Sequence, residues 1–290
     1  MVNTIILNNT QFCWRNLVSN TNNPLSLSQQ QDDFILNSYV VDYNNTLDCN
    51  YGVLNDIKLF NLPKNKINSI LNTAKSVRFS TLHKIGNKIG VKVVQCNQMH
   101  TNNVQEISNE NINKYSASTN IDNDKLIAYD GVFTSLKGVM LTAYSSDCVT
   151  VIVRHKKPDF IGVLHSGWKG SLRGVNEAML RALKSRGCNI GSLEVFIAPS
   201  ISRDNYEVKE DLYSFFTKKS IKNNRFFSKK NGVIYFDNRS FVISKYTNFT
   251  KVTDCCIDTF KDVSFSSFRH KSQNADVVSK YNGNVSFIYL

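Results

Sequence analysis

Apolar positions between residues 138 and 187 follow a strand period first and a helix period afterwards. Val149–Val153 and Phe160–Leu164 are β-branched, apolar runs around a polar tip, His155-Lys156-Lys157-Pro158-Asp159, which predicts an antiparallel hairpin. With the turn centred at Lys157, Cys148 falls opposite Ser166, one place from His165. A thiol and an imidazole are thereby expected at the open end of the hairpin. Ser166-Gly167-Trp168-Lys169-Gly170 then forms a glycine-bracketed turn. From about Ser171 a single helix is predicted, with Leu172, Val175, Met179, Ala182 and Leu183 on one face and Gly187 as its stop. Its N-terminal N–H groups point toward the Cys148–His165 pair and favour an anion there.

Elsewhere the pattern is shorter. Ile67, Ile70, Leu71, Ala74 and Val77 recur at helical spacing and predict a helix over 64–82, with Arg78 at the border of its apolar face, where a side chain of this type snorkels. Residues 90–95 read as a strand that delivers His100 to its end. Residues 101–125 are polar and predict an exposed excursion, Asp130-Gly131 a turn, and 132–134 and 139–143 strands. Further on, 193–198 predicts a strand ending at Pro199, 206–218 an amphipathic helix and 233–236 a strand. Asp237 caps a helix that ends near Phe249, and 264–268 and 285–289 are β-like pieces. Residues 1–60 carry short apolar islands and predict strands and long loops. Strands and helices alternate with antiparallel hairpins, so the fold class is α+β with mixed sheets. No Pro- or Gly-rich linker divides residues 1–290, which read as one globular unit.

Composition narrows the partners. The formal net charge of +12 suits an anionic substrate, a phosphate or nucleic acid, but a plain abundance of Lys and Asn accounts for it more simply. The lysines are dispersed and form no basic stripe interleaved with aromatics, which argues against nucleic acid. The seven cysteines are odd in number and follow no framework spacing, so a reducing, cytoplasmic setting is expected. No basic n-region with a long apolar core opens the chain, and no run approaches the ~18 apolar residues of a membrane span.

Three residues carry candidate chemistry. His100, Cys148 and His165 each stand at a strand end, and three N/S ligands with no fourth protein candidate describe a catalytic zinc centre. A metal-free alternative uses the same pair, with a Cys148 thiolate activated by His165 as in a cysteine hydrolase. Asp147 is a candidate orienting or proton-carrying group, although strand alternation turns its side chain away from that of Cys148. Cys255-Cys256 alternates faces in the same way and reads as structural. His83 and His155 fall at a helix end and a hairpin tip.

Several short motifs occur in order: Gln98-Met99-His100, Tyr129-Asp130-Gly131-Val132, Ser146-Asp147-Cys148, His165-Ser166-Gly167-Trp168-Lys169-Gly170, and Pro199-Ser200-Ile201 with Tyr206-Glu207-Val208. Together they resemble the laccase-domain family, also called polyphenol-oxidase-like and understood as purine nucleoside phosphorylases, over about residues 78–290. The resemblance implies an α/β/β/α layered fold, often monomeric, with zinc held by His100, Cys148 and His165. It also implies phosphorolysis of adenosine, inosine or methylthioadenosine, and adenosine deamination. It makes Arg78, Lys169 and Arg269 candidate phosphate or substrate contacts. Ser146, Thr150 and Ala198 stand where the family has Ala, Pro and Gly, and its C-terminal arginine motif is only partly kept around Phe268-Arg269-His270. The older family label, a copper oxidase of phenols, is opposed by a total of five histidines, though Cu²⁺ enters most His₂Cys sites. A basic scaffold without catalysis is the remaining alternative.

Overall fold

The computed structural model describes residues 3–7, 10–16, 36–41, 83, 86–87, 90–116, 128–262, 265, 267–273 and 283–290. The helix expected over 64–82, and Arg78 within it, lie outside the described residues. The strands in chain order are β1 (Asn3–Leu7), β2 (Thr10–Asn16), β3 (Leu36–Val41), β4 (Lys92–Gln95), β5 (Val104–Glu106), β6 (Gly131–Thr134), β7 (Val139–Ser145), β8 (Val149–Lys156), β9 (Asp159–Ser166), β10 (Glu194–Ile197), β11 (Glu207–Val208), β12 (Phe227–Lys230), β13 (Val233–Phe236), β14 (Val252–Asp254) and β15 (Gly283–Tyr289). The α-helices are α1 (Ile112–Ser116), α2 (Trp168–Arg173), α3 (Val175–Ser185), α4 (Glu210–Lys219), α5 (Asn238–Ile243) and α6 (Phe268–Gln273).

Two six-stranded mixed sheets, ordered β1-β2-β3-β15-β7-β4 and β14-β10-β8-β9-β6-β5, hold most of the described strands, and β11-β13-β12 forms a small third sheet. The fold class is α+β, as the alternation of periods predicts. The strand pattern explains the layering. On β8 and β9, Ile152, Ile161 and Val163 face one way and pack with Val94, Leu141 and Ile288 of the first sheet. Val149, Val151, Val153 and Leu164 face the other way and meet Val175, Met179 and Leu183 of α3. A strand buried on both faces must be apolar at consecutive positions, which is why 149–153 shows no alternation. Each α3 side chain buried in this way stabilises the fold by about 2 kcal/mol. A separate cluster, Leu212, Phe216, Phe226, Phe236 and Phe241, fills the space under the small sheet.

Four expectations are corrected by the structure. The single helix from Ser171 is two helices, α2 and α3, because Gly174 adopts φ 91°, a left-handed conformation that closes α2 and opens α3. The helix expected from Tyr206 begins at Glu210, since Glu207 and Val208 pair with β13. The excursion at 101–125 holds β5, parallel to β6, and α1. Of the β-like piece expected over 264–268, Phe268 opens α6 instead, where the Ser267 hydroxyl accepts from the His270 N–H and caps the helix.

Candidate metal centre

The hairpin register decides which side chains meet. The loop between β8 and β9 is the two-residue Lys157-Pro158, so Val149 pairs with Ser166 and Thr150 with His165. That is one residue from the expected register. Under the expected register Cys148 and His165 would sit on opposite faces of the sheet; the observed one places them on the same face. His100 arrives from the end of β4, in the other sheet. One ligand atom from each of His100, Cys148 and His165 lies within 4.8 Å of the others. The two imidazoles meet edge to face, with centroids 4.9 Å apart.

Asp130 holds this group together. Its carboxylate accepts from the backbone N–H groups of Met99, His100 and Thr101 at 3.2, 3.0 and 2.6 Å, and from the Thr101 hydroxyl at 2.8 Å. It also accepts from His165 Nδ1 at 2.8 Å, which leaves Nε2 toward Cys148. Asp130 is 0% exposed. His100 has φ 57°, a conformation that costs a non-glycine residue energy and that these backbone bonds maintain. Arg173 Nη1 adds a bond to the His100 carbonyl at 2.7 Å. Below the hairpin end, the Ser166 hydroxyl accepts from Asn176 Nδ2, its carbonyl accepts from Asn238 Nδ2, and Tyr246 donates to Asn176 Oδ1. The turn from His165 to Gly167 is therefore anchored from the α3 side.

Charge follows geometry. Burial by itself raises the Cys148 thiol, but the neighbouring His165 charge and hydrogen bonding from His100 and His165 outweigh burial and hold it below its ordinary range. Burial would lower His165; the facing Cys148 and Asp130 raise it instead. Burial would raise Asp130, and the bonds from His165 and Thr101 hold it low. The donor set is thus a thiolate and two imidazoles, one of them oriented by a carboxylate. Gly167 completes the cradle. A Cβ at that position would stand 2.7 Å from His100 Cδ2 and 3.0 Å from Cys148 Sγ. Donor chemistry and cradle together fit a single metal ion, which His100, Cys148 and His165 could hold.

The other predicted residues surround this centre. Asp147, at φ 89°, turns away from the ligands; its Oδ1 accepts from Thr259 Oγ1 at 2.7 Å and its Oδ2 from the Arg269 N–H at 2.6 Å. Arg269 gives Nη2 to the Glu207 carbonyl at 2.7 Å and lies 5.6 Å from the centroid of the Tyr206 ring. Lys169 is exposed, 5.4 Å from the Trp168 ring centroid. Cys255 and Cys256 belong to a different part of the molecule, after β14. His155, at the hairpin tip, is a clasp: its Nδ1 donates to the Pro158 carbonyl at 2.7 Å and its Nε2 accepts from the Asn189 N–H at 3.0 Å.

Sequence reasoning read Asp130 and Gly167 as turn residues and Tyr206 as the start of a helix, and gave none of them a place at the centre. Burial, and then the neighbouring Cys148, push the Tyr206 phenol well above its ordinary range, so it stays protonated beside the ligands. The one available signal for Asp130 was a carboxylate at the mouth of an apolar strand, which equally describes a turn.

A family model described as multi-copper polyphenol oxidoreductase laccase matches residues 73–278. A purine nucleoside phosphorylase of Rickettsia prowazekii is 36% identical over 115 residues, which are 39% of this chain and 47% of that protein. The purine nucleoside phosphorylase of Borreliella burgdorferi is 29% identical over 177 residues, 55% of this chain and 77% of that protein. The match thus spans about half the length of the Rickettsia relative. Among solved structures, the hypothetical protein YfiH of Bacillus licheniformis superposes with a TM-score of 0.61 at 20% identity, over 71% of this chain and 78% of that one. YlmD of Geobacillus stearothermophilus gives 0.55 at 18% identity, over 68% and 73%. These two likenesses establish the fold.

Proposed function

Because the chain belongs to the multi-copper polyphenol oxidoreductase laccase family, whose relatives here are named purine nucleoside phosphorylases, we propose that it is a zinc-dependent purine nucleoside phosphorylase. The observation that carries this reading is the single His₂Cys cluster backed by Asp130. Multi-copper oxidation needs several ligand sets, and among the described residues this is the one His/Cys/Asp/Glu group with metal-binding geometry. Cu²⁺ outcompetes Zn²⁺ for such ligands, so copper in a preparation reports the metal supply.

A Zn²⁺ held by His100, Cys148 and His165 would supply a Lewis acid there. Asp130 fixes the tautomer of His165 and the backbone of His100. In phosphorolysis a phosphate oxygen forms a bond to C1′ while the bond from C1′ to the purine breaks, and the purine leaves protonated on a ring nitrogen. The Arg269 guanidinium, with N–H groups beyond the one given to Glu207, and Lys169 supply charge for phosphate in this reading, and Arg78 is a further candidate by resemblance alone. The six-residue α2 contributes little dipole to this task. Asp147, with both oxygens engaged, positions Arg269 rather than carrying a proton. The phenol of Tyr206 is a protonated donor at the same wall. Adenosine deamination would use water at C6 in place of phosphate at C1′.

The depressed Cys148 thiol favours a second reading, a Cys148–His165 hydrolase without metal. His100 separates the two, being a ligand in one and a bystander in the other. With adenosine and phosphate, adenine and ribose 1-phosphate should appear together and rise with phosphate. His100→Ala should lose both zinc and activity, and chelation should inactivate the wild type until zinc is restored. Free ribose without phosphate dependence would indicate a nucleoside hydrolase, and inosine without adenine would indicate a deaminase. Apo protein turning over at the holo rate, with alkylation alone abolishing activity, would establish the cysteine reading instead.

A further inference from the structure

Trp168 opens α2 directly after Gly167, whose Cα packs against His100 and Cys148. The indole therefore begins one residue from the ligand group. Phe215 of α4 stacks on it, with ring centroids 6.3 Å apart and planes inclined by 10°. Trp168 is half-buried, Phe215 is 50% exposed, and Lys169 Nζ lies 5.4 Å from the indole centroid. Lys219, one turn after Phe215, donates to the Leu172 carbonyl and holds α4 against α2. Tyr206 also stands near the group, its phenol feeling the charge of Cys148. Trp168 and Tyr206 are both rim residues of the phenylalanine cluster under the small sheet.

That cluster accounts for Phe216, which is fully buried, but not for Phe215, the next residue round the same helix, which points away from it. Phe215 instead stacks on Trp168, which has Lys169 Nζ over its ring, and Phe215 stays half exposed to solvent. The exposed face of a stacked ring pair suits a planar ligand, and a stacked aromatic base is the chemistry that adds to plain burial there. We propose that Trp168 and Phe215 form the platform on which the purine ring of the substrate stacks. This rests on the nucleoside reading above. The platform holds the base while the ribose reaches toward His100, Cys148 and His165, and it recognises the π-face rather than the exocyclic groups, so adenosine and inosine are both accepted.

Trp14 and Trp168 are the two tryptophans of the chain. In a Trp14→Phe background, Trp168 emission, excited where purines do not absorb, should be quenched saturably by adenosine and by inosine. Ribose 1-phosphate, which lacks the base, should leave it unchanged. Phe215→Ala and Phe215→Leu should weaken nucleoside binding on the order of tenfold, with zinc content and the KM for phosphate unaltered, and Phe215→Tyr should restore it. The leucine variant keeps the apolar bulk and removes the π-face, so it separates stacking from folding. Turnover of adenosine with an unaltered KM in the alanine and leucine variants would overturn the platform and leave the phosphorylase reading standing. Quenching by ribose 1-phosphate as strong as that by adenosine would also overturn it. Saturable, Phe215-dependent quenching without any turnover would support the platform and refute the phosphorylase.

Discussion

At the scale of single residues, Asp130 receives three consecutive backbone N–H groups as well as His165 Nδ1. One carboxylate thus sets both the path of the chain through His100 and the tautomer of His165. Replacing it with Asn offers one acceptor oxygen and an amide that clashes with an N–H donor. Asp130→Asn should weaken zinc binding by roughly 10- to 100-fold while the fold persists, as a chromophoric chelator in competition would measure. None of this is visible along the chain, because Asp130 and His165 lie 35 residues apart and become partners only when β6 and β9 pair. The candidate ligands themselves were legible. Cys148 and His165 flank two apolar runs, and His100 ends another, so their positions at strand ends follow from hydrophobic period alone. Gly167 was legible as a turn residue; that its missing side chain makes room for His100 and Cys148 was not.

At the scale of elements, the differences from the sequence reading have local causes. The hairpin was expected in the right place, and its turn of two residues shifted the register by one. The helix period through 171–185 was correct, but a 3.6-residue period does not reveal a left-handed glycine that splits it at Gly174. Side-chain bonds made the remaining choices. Asp258 is one case: Oδ1 accepts from the Ser202 and Phe260 N–H groups at 3.3 and 3.0 Å, and Oδ2 from Ser202 Oγ and Asn205 Nδ2 at 2.5 and 2.7 Å. The loop after β10 is thereby tied to the loop after β14. Burial would raise this carboxyl, and the Ser202, Phe260 and Asn205 bonds hold it below its ordinary value. A group with a depressed folded pKa stabilises above its unfolded value, about 4 for Asp, and the contribution is lost as pH falls through the folded value. Asp258→Ala should therefore lower stability by about 1–2 kcal/mol at pH 7. The gap from wild type in urea titrations should close as the pH is taken below that range. A constant gap at all pH values would mean that packing, not the carboxylate, holds the loops.

At the scale of the molecule, the centre joins the two large sheets. His100 follows β4 of the first sheet, whereas Cys148 and His165 flank the β8–β9 hairpin of the second. An ion bound there cross-links elements that otherwise meet through side-chain packing, so its removal should reach beyond activity. At a free metal concentration a thousand times the Kd, binding contributes about 4 kcal/mol. Chelation should lower the Tm by on the order of 10 °C, and His100→Ala, already short of a ligand, should show little further change in calorimetry. A wild type whose Tm ignores chelation would argue against zinc as an integral part of the fold. Among the described residues no helix is long and apolar enough to cross a membrane.

The sequence by itself determined the class of fold, the strands that carry the ligands and the residue types that can bind a metal. These depend on hydrophobic period and donor chemistry, which are written along the chain and need no partner to be read. Tertiary structure alone decided which donors share a face, through a register set by a two-residue loop. It also decided which carboxylate orients His165, through the pairing of β6 with β9, and which aromatic rings stack, through the docking of α4 on α2. Each of these is a relation between segments distant in sequence. The free energy of such a relation comes from packing and hydrogen bonds that exist only once the sheets have closed on each other.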